Sequence, residues 1–117
     1  MRLMEDIKRN INGKMITLTF SDESIERITK RLKGKLTGYN LDNAIAAYAV
    51  RHFVERWRTE FKKSIRHWLV TELGHNGTEN IHLHGIIWTN EDVATVHRIW
   101  GYGHILCTKF NQWTSSK

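Results

Sequence analysis

Three observations in the sequence predict an α+β fold. Residues 65–73 and 81–88 are strand-like, rich in β-branched and aromatic residues, and are joined by a segment with the turn signal Asn76-Gly77. A further strand-like run precedes this hairpin at residues 15–20, and another follows it at residues 104–108. Helical apolar spacing fills the two long intervals between them. The order is then strand, helix, helix, strand, strand, helix, strand. That is the split βαβ, ferredoxin-like arrangement, one antiparallel sheet with helices on one face and an extra helix in the first crossover.

Each element has its own signal. Met15-Ile16-Thr17-Leu18-Thr19-Phe20 alternates and is rich in Ile and Thr. Ser21-Asp22-Glu23 starts a helix whose stripe is Ile25, Ile28 and Leu32. Gly34 and Gly38 mark a loop that carries Lys33 and Lys35. Asp42 and Asn43 open the longest helix, which runs to about Lys63 with Ala46, Val50, Phe53, Trp57 and Phe61 on its apolar face. Thr89-Asn90-Glu91-Asp92 resembles a capping box before a short helix with Val93, Val96 and Trp100 inward. Gly101-Tyr102-Gly103 ends that helix, and His104-Ile105-Leu106-Cys107-Thr108 is the last strand.

The composition bounds the function. At 117 residues the chain is one domain, residues 1–117, with a modest core. It has no apolar run of membrane-spanning length and no signal-peptide core at Met1-Arg2-Leu3-Met4-Glu5-Asp6. Cys107 is the one cysteine, which excludes an internal disulfide. A net charge of +6 favours a polyanionic partner, although charge alone does not separate nucleic acid from an anionic membrane or a merely soluble surface.

The chemistry centres on His82-Leu83-His84. On a strand, alternate residues share a face, so His82 and His84 project side by side, where two imidazoles can hold one metal ion. Glu72, on the preceding strand, offers a carboxylate as third ligand and leaves open coordination positions, as a catalytic metal requires. Taken alone, such a histidine pair is more often surface decoration, and His52, His67, His75, His97 and His104 read as ordinary histidines. Glu72 reaches the pair only in even register with His82, which needs an odd-length loop or a bulge near Gly74. A plain two-residue Asn76-Gly77 turn would aim Glu72 at the wrong face. The face shared by these groups would also carry Arg66, Trp68, Val70, Ile86, Trp88, Thr17 and Thr19. Tryptophans on an open basic sheet suit single-stranded nucleic acid. Lys14, Arg66, Lys109 and the Lys33/Lys35 loop are the phosphate candidates, each on its own a common solvated charge.

With these residues in view, the chain resembles HUH-type rolling-circle replication initiators, and most of all the replication proteins of gokushovirus-group single-stranded DNA phages. The resemblance spans nearly the whole chain, through Ile16-Thr17-Leu18-Thr19-Phe20, Leu41-Asp42-Asn43, Arg66-His67-Trp68-Leu69-Val70-Thr71-Glu72-Leu73-Gly74, Gly77-Thr78-Glu79-Asn80-Ile81-His82-Leu83-His84-Gly85 and Trp100-Gly101-Tyr102-Gly103. It implies an endonuclease that nicks and joins single-stranded DNA at a replication origin. His82, His84 and Glu72 would hold Mn²⁺ or Mg²⁺, and a tyrosine would form a 5′-phosphotyrosine link and free a 3′-hydroxyl. It also implies work beside host replication machinery in the cytoplasm of a bacterial host.

The nucleophile departs from that family's pattern. No tyrosine follows Tyr102, which lies in the glycine turn before the last strand, while Tyr39 and Tyr48 precede the metal motif and read as packing residues. The expectation is a fragment cut before the tyrosine helix, able to bind metal and DNA but not to cleave. The helix missing from the sheet would leave Trp68, Val70, Ile86 or Trp88 uncovered and open to dimerisation through that face. Two other functions compete: a metal-free module that binds single-stranded DNA or RNA on its sheet, and an accessory domain whose charge serves solubility.

Overall fold

The computed structural model describes residues 13–34, 36–72 and 81–109, with the backbone alone for residues 108 and 109. The elements are β1 (Gly13–Thr19), α1 (Asp22–Leu32), α2 (Gly38–Phe61), β2 (Arg66–Glu72), β3 (His82–Trp88), α3 (Val93–Trp100) and β4 (Ile105–Lys109). The strands form one antiparallel sheet in the order β2-β3-β1-β4. Both crossovers therefore skip one position, which a neighbour of opposite direction fills. This is the predicted ferredoxin-like α+β fold.

The core lies between the sheet and its helices. Ile16, Leu18, Leu83 and Ile87 bury one sheet face against Ile28 of α1, Ile45, Ala49, Phe53 and Trp57 of α2, and Val96, Ile99 and Trp100 of α3. Trp100 is fully buried, with its ring edge-on to Phe20, Phe53 and Tyr102 at centroid distances of 5.3, 5.8 and 5.0 Å. Its Nε1 donates to the Thr19 carbonyl at 2.9 Å, which satisfies its polar atom and joins α3 to the end of β1.

The helix starts follow capping chemistry, with two departures from expectation. Ser21 caps α1 as predicted, its Oγ accepting from the Ser24 N–H at 3.1 Å. α2 begins at Gly38, a turn before Asp42 and Asn43, with Thr37 at its N-cap and no side-chain cap bond. Leu41 packs against the core, and that burial extends the helix past the polar residues that looked like its cap. The helix ends at Lys62, in the left-handed region (φ 61°), whose N–H returns to the Arg58 carbonyl. In α3 the cap is Asp92 rather than Thr89: Oδ1 accepts from the Thr95 N–H at 2.9 Å, and that bond holds the Asp92 carboxyl below its ordinary range. Thr89 Oγ1 instead accepts from the Glu91 N–H, closing a turn. Val93 is 44 % exposed, so inward packing starts one turn later, at Val96.

Gly85 faces the β2 backbone with no room for a side chain. A Cβ there would stand 1.9 Å from the Trp68 carbonyl oxygen, a backbone atom that cannot swing aside. Gly85→Ala should therefore destabilise the fold by about 1–3 kcal/mol as the strands are pushed apart. Gly34→Ala, whose nearest neighbour would be 3.7 Å away, should melt like the parent. Equal melting temperatures for the two variants would show that the strand pair yields freely at Gly85.

Candidate functional site

The register of β3 places the histidine pair. Antiparallel pairing sets Glu72 opposite His82 and Val70 opposite His84 on one side, and Thr19 and Thr17 opposite the same histidines on the other. The even register needed for Glu72 is therefore present, and residues 73–81, between Glu72 and His82, are odd in number. Gly74 and Asn76-Gly77 lie outside the described residues. The three side chains converge on the face away from the helices. Glu72 Oε1 is 2.9 Å from His84 Nε2 and 3.3 Å from His82 Nε2. The imidazole centroids are 5.9 Å apart.

All three side chains remain partly open to solvent, at 33 % for His82, 48 % for His84 and 47 % for Glu72. The trio is closed by its own contacts, because both imidazoles direct Nε2 at one carboxylate oxygen. Among the described residues no three His, Cys, Asp or Glu side chains stand as a ready-made metal cage.

Beside the trio a groove of about 430 Å³ runs over the open sheet face, with Met15, Thr17, Ile86, Trp68 and Leu106 along it. Trp68 is 44 % exposed and Leu106 70 % exposed, so the groove has one aromatic and one aliphatic wall. Leu106 and Met15 carry no signal in the sequence, since nothing local shows that β1 runs beside the histidine strand and β4 next beyond it.

The other predicted contacts divide in two. Thr17 lines the groove, whereas the Thr19 hydroxyl is engaged with the backbone of His104, donating to its carbonyl at 3.0 Å and accepting from its N–H at 2.8 Å. Lys14 departs from expectation. It is 5 % exposed, and its Nζ donates to the Thr89 carbonyl at 2.6 Å, so its ammonium braces the β3–α3 connection instead of facing solvent. Alternation explains this, because Lys14 shares the helix-side face of β1 with Ile16 and Leu18. Trp88, expected on the open face, is 8 % exposed and lies under the Arg66 guanidinium, 5.1 Å from the ring centroid. Its Nε1 is buried with no hydrogen-bond partner among the described residues. Ile86 is likewise buried, so of the four residues expected to be uncovered, Trp68 and Val70 are exposed. Lys109 pairs with Lys14 in the β1–β4 ladder, but its side chain lies outside the described residues, as does Lys35.

Two positions were not singled out from sequence. Arg56 of α2 donates to the carbonyls of Ile99 and Trp100 at 3.0 and 2.9 Å and to the Tyr102 hydroxyl at 3.3 Å, holding the end of α3. Glu60 accepts two hydrogen bonds from Arg98, which hold its carboxyl below the ordinary range. Neither residue has a local motif, because each partner lies more than thirty residues away in sequence.

If Lys14 is structural, Lys14→Met should lower stability by about 1.5–3 kcal/mol, the worth of a hydrogen bond to a charged group. Binding of single-stranded oligonucleotide, measured well below the melting transition, should be unaffected. Weaker binding at unchanged stability would return Lys14 to the phosphate-contact role.

Among the described residues no helix is long and apolar enough to cross a membrane. No curated protein and no solved structure gives a significant match to the chain. The family model for replication-associated protein ORF2 matches residues 13–115, a span that takes in all four strands, all three described helices and the Glu72, His82 and His84 trio. The chain belongs to the replication-associated protein ORF2 family.

Proposed function

We propose that this domain is of the HUH type and binds single-stranded origin DNA on its open sheet face, with a divalent cation held by His82, His84 and Glu72, in the rolling-circle replication of a gokushovirus-like phage. The observation that carries the reading is the convergence of two imidazoles and one carboxylate beside a groove walled by Trp68. Donors about 2.1 Å from an octahedral cation, and at right angles, stand about 3 Å apart. The separations of 2.9 and 3.3 Å fit that spacing, so the donor set suits Mn²⁺, or Mg²⁺ with added water. A bound cation would supply Lewis-acid polarisation of a phosphate oxygen at the groove.

The chain's own residues would do the rest. Trp68 offers a ring for base stacking, and the basic surface attracts the strand. None of the three tyrosines lines the groove. Tyr102 is buried and bonded to Arg56, Tyr48 packs on His52, and Tyr39 stands exposed at the start of α2. In the phosphotyrosine step a tyrosine oxygen bonds to phosphorus, the bond to the 3′ oxygen breaks, and that oxygen leaves as a hydroxyl after taking a proton. None of these three tyrosines is placed to perform it, so metal and strand binding are the roles we assign to the described residues. Its setting would be the bacterial cytoplasm, beside host replication machinery.

A metal-free single-strand binding module is the second reading, favoured by the close approach of both imidazoles to the Glu72 carboxylate. Calorimetric titration of Mn²⁺ into the chain and into a His82→Ala/His84→Ala variant separates the two. One ion bound by the parent and lost in the variant supports the cation site; no heat from the folded parent sinks it. Stacking has its own readout. Trp68→Ala should weaken an oligonucleotide by about tenfold, within the range of about 1–3 kcal/mol per stacked base, as followed by fluorescence anisotropy. Unchanged affinity would remove Trp68 from the interface.

A further inference from the structure

β2 is an edge strand: among the described residues its one sheet neighbour is β3. Its outer row of N–H and C=O groups is a template for another strand. The residues it carries, RHWLVTE, are complementary to themselves when read in the opposite direction. With Leu69 set opposite Leu69 of an antiparallel copy, Arg66 faces Glu72, His67 faces Thr71 and Trp68 faces Val70, each pair occurring twice. Arg66, Trp68, Val70 and Glu72 all lie on the open face, as their pairing with Trp88, Ile86, His84 and His82 requires. Opposite charges and apolar side chains thus meet directly across the junction, where cross-strand pairs stabilise a sheet.

We propose that the β2 edge is the docking surface for a second copy of this chain, joining two sheets into one of eight strands. Three observations choose the occupant and the register. Trp68 and Val70 are 44 % and 40 % exposed, and each would cover the other across the dyad. Backbone groups alternate in direction along a strand, so outward-pointing groups meet outward-pointing ones only when the dyad passes through a residue. Among such registers, the one centred on Leu69 uses the whole strand and forms both ion pairs. A shift to either side sets Arg66 against Val70 or Glu72 against Trp68 and loses both. An arbitrary partner strand offers no such match.

The dyad of an antiparallel pair is normal to the sheet. Both helical layers then fall on one side and both grooves on the other, in an isologous interface. The two Glu72 positions lie about 20 Å apart, six strand residues. The partner's Arg66 stands beside Glu72, so each groove gains a guanidinium from the other chain. The inference rests on the sheet edge and not on the cation reading; the Mn²⁺ titration can fail while the dimer stands, and the reverse.

Sedimentation equilibrium of the whole chain, from micromolar to millimolar, tests it. The parent should dimerise. Arg66→Glu should weaken the dimer by about tenfold or more, because two like-charge pairs replace two ion pairs, and Arg66→Glu/Glu72→Arg should restore it. Circular dichroism identifies any variant that fails to fold. A second measurement then decides: Leu69→Cys in a Cys107→Ser background should cross-link to itself on oxidation, since facing Cα atoms lie about 4.5–5.5 Å apart. His67→Cys in the same background should not. A parent that stays monomeric throughout, a dimer indifferent to Arg66→Glu, a charge swap that folds without restoring the dimer, or a dimer in which Leu69→Cys does not cross-link would overturn the proposal.

Discussion

The register of β3 against its two neighbours is the constraint on which the rest of the structure depends. Side chains alternate across a strand, so a slip of one residue between β2 and β3 would turn Glu72 away from His82 and His84. Were β3 itself to slip by one residue against both neighbours, Leu83 and Ile87 would leave the core. Burial of the apolar set and convergence of the polar trio are therefore two consequences of one alignment. The hydrophobic effect supplies the energy, and the chemistry of the opposite face is placed as a result.

The second crossover is secured by a different device. Trp100 and Tyr102 flank a glycine in the left-handed region, Gly101 at φ 69°, and their rings pack with Phe20 and Phe53. Arg56 crosses from α2 to take up the carbonyls left free at the end of α3. Its guanidinium carbon lies 5.1 Å from the Tyr102 ring centroid as well as bonding the Tyr102 hydroxyl, so this tyrosine is anchored on the helical side. The glycine-bounded tyrosine that catches the eye in the sequence is a packing residue.

Charge is distributed with similar economy. The chain carries a net +6, yet Lys14 is buried on a carbonyl, Arg56 caps a helix and Arg98 is paired with Glu60. The basic balance favours a polyanionic partner, but it does not say which cations would meet one. The open face owes its character more to Trp68, Leu106 and the histidine pair than to a row of lysines. Its edge, where Arg66 and Glu72 stand at opposite ends of β2, carries charges of both signs.

Much was legible from local pattern. Strand alternation, helix stripes and turn residues determined the order of the elements, and that order together with the pairing rules for split βαβ units implied the sheet. The sharing of one face by His82 and His84 is a property of extended backbone itself. Glu72 could be set beside them only conditionally, because loop parity was undecided by the residues between. Where a polar side chain ends its reach depends on what lies across the sheet or helix. Local sequence does not report that Lys14 meets Thr89, that Arg66 covers Trp88, or that Leu41 pulls α2 back beyond Asp42. The sequence by itself determined the periodicities and the ligand types, since these follow from backbone geometry and side-chain chemistry. The tertiary structure alone decided register, burial and partner choice, because each is an interaction between segments far apart in the chain.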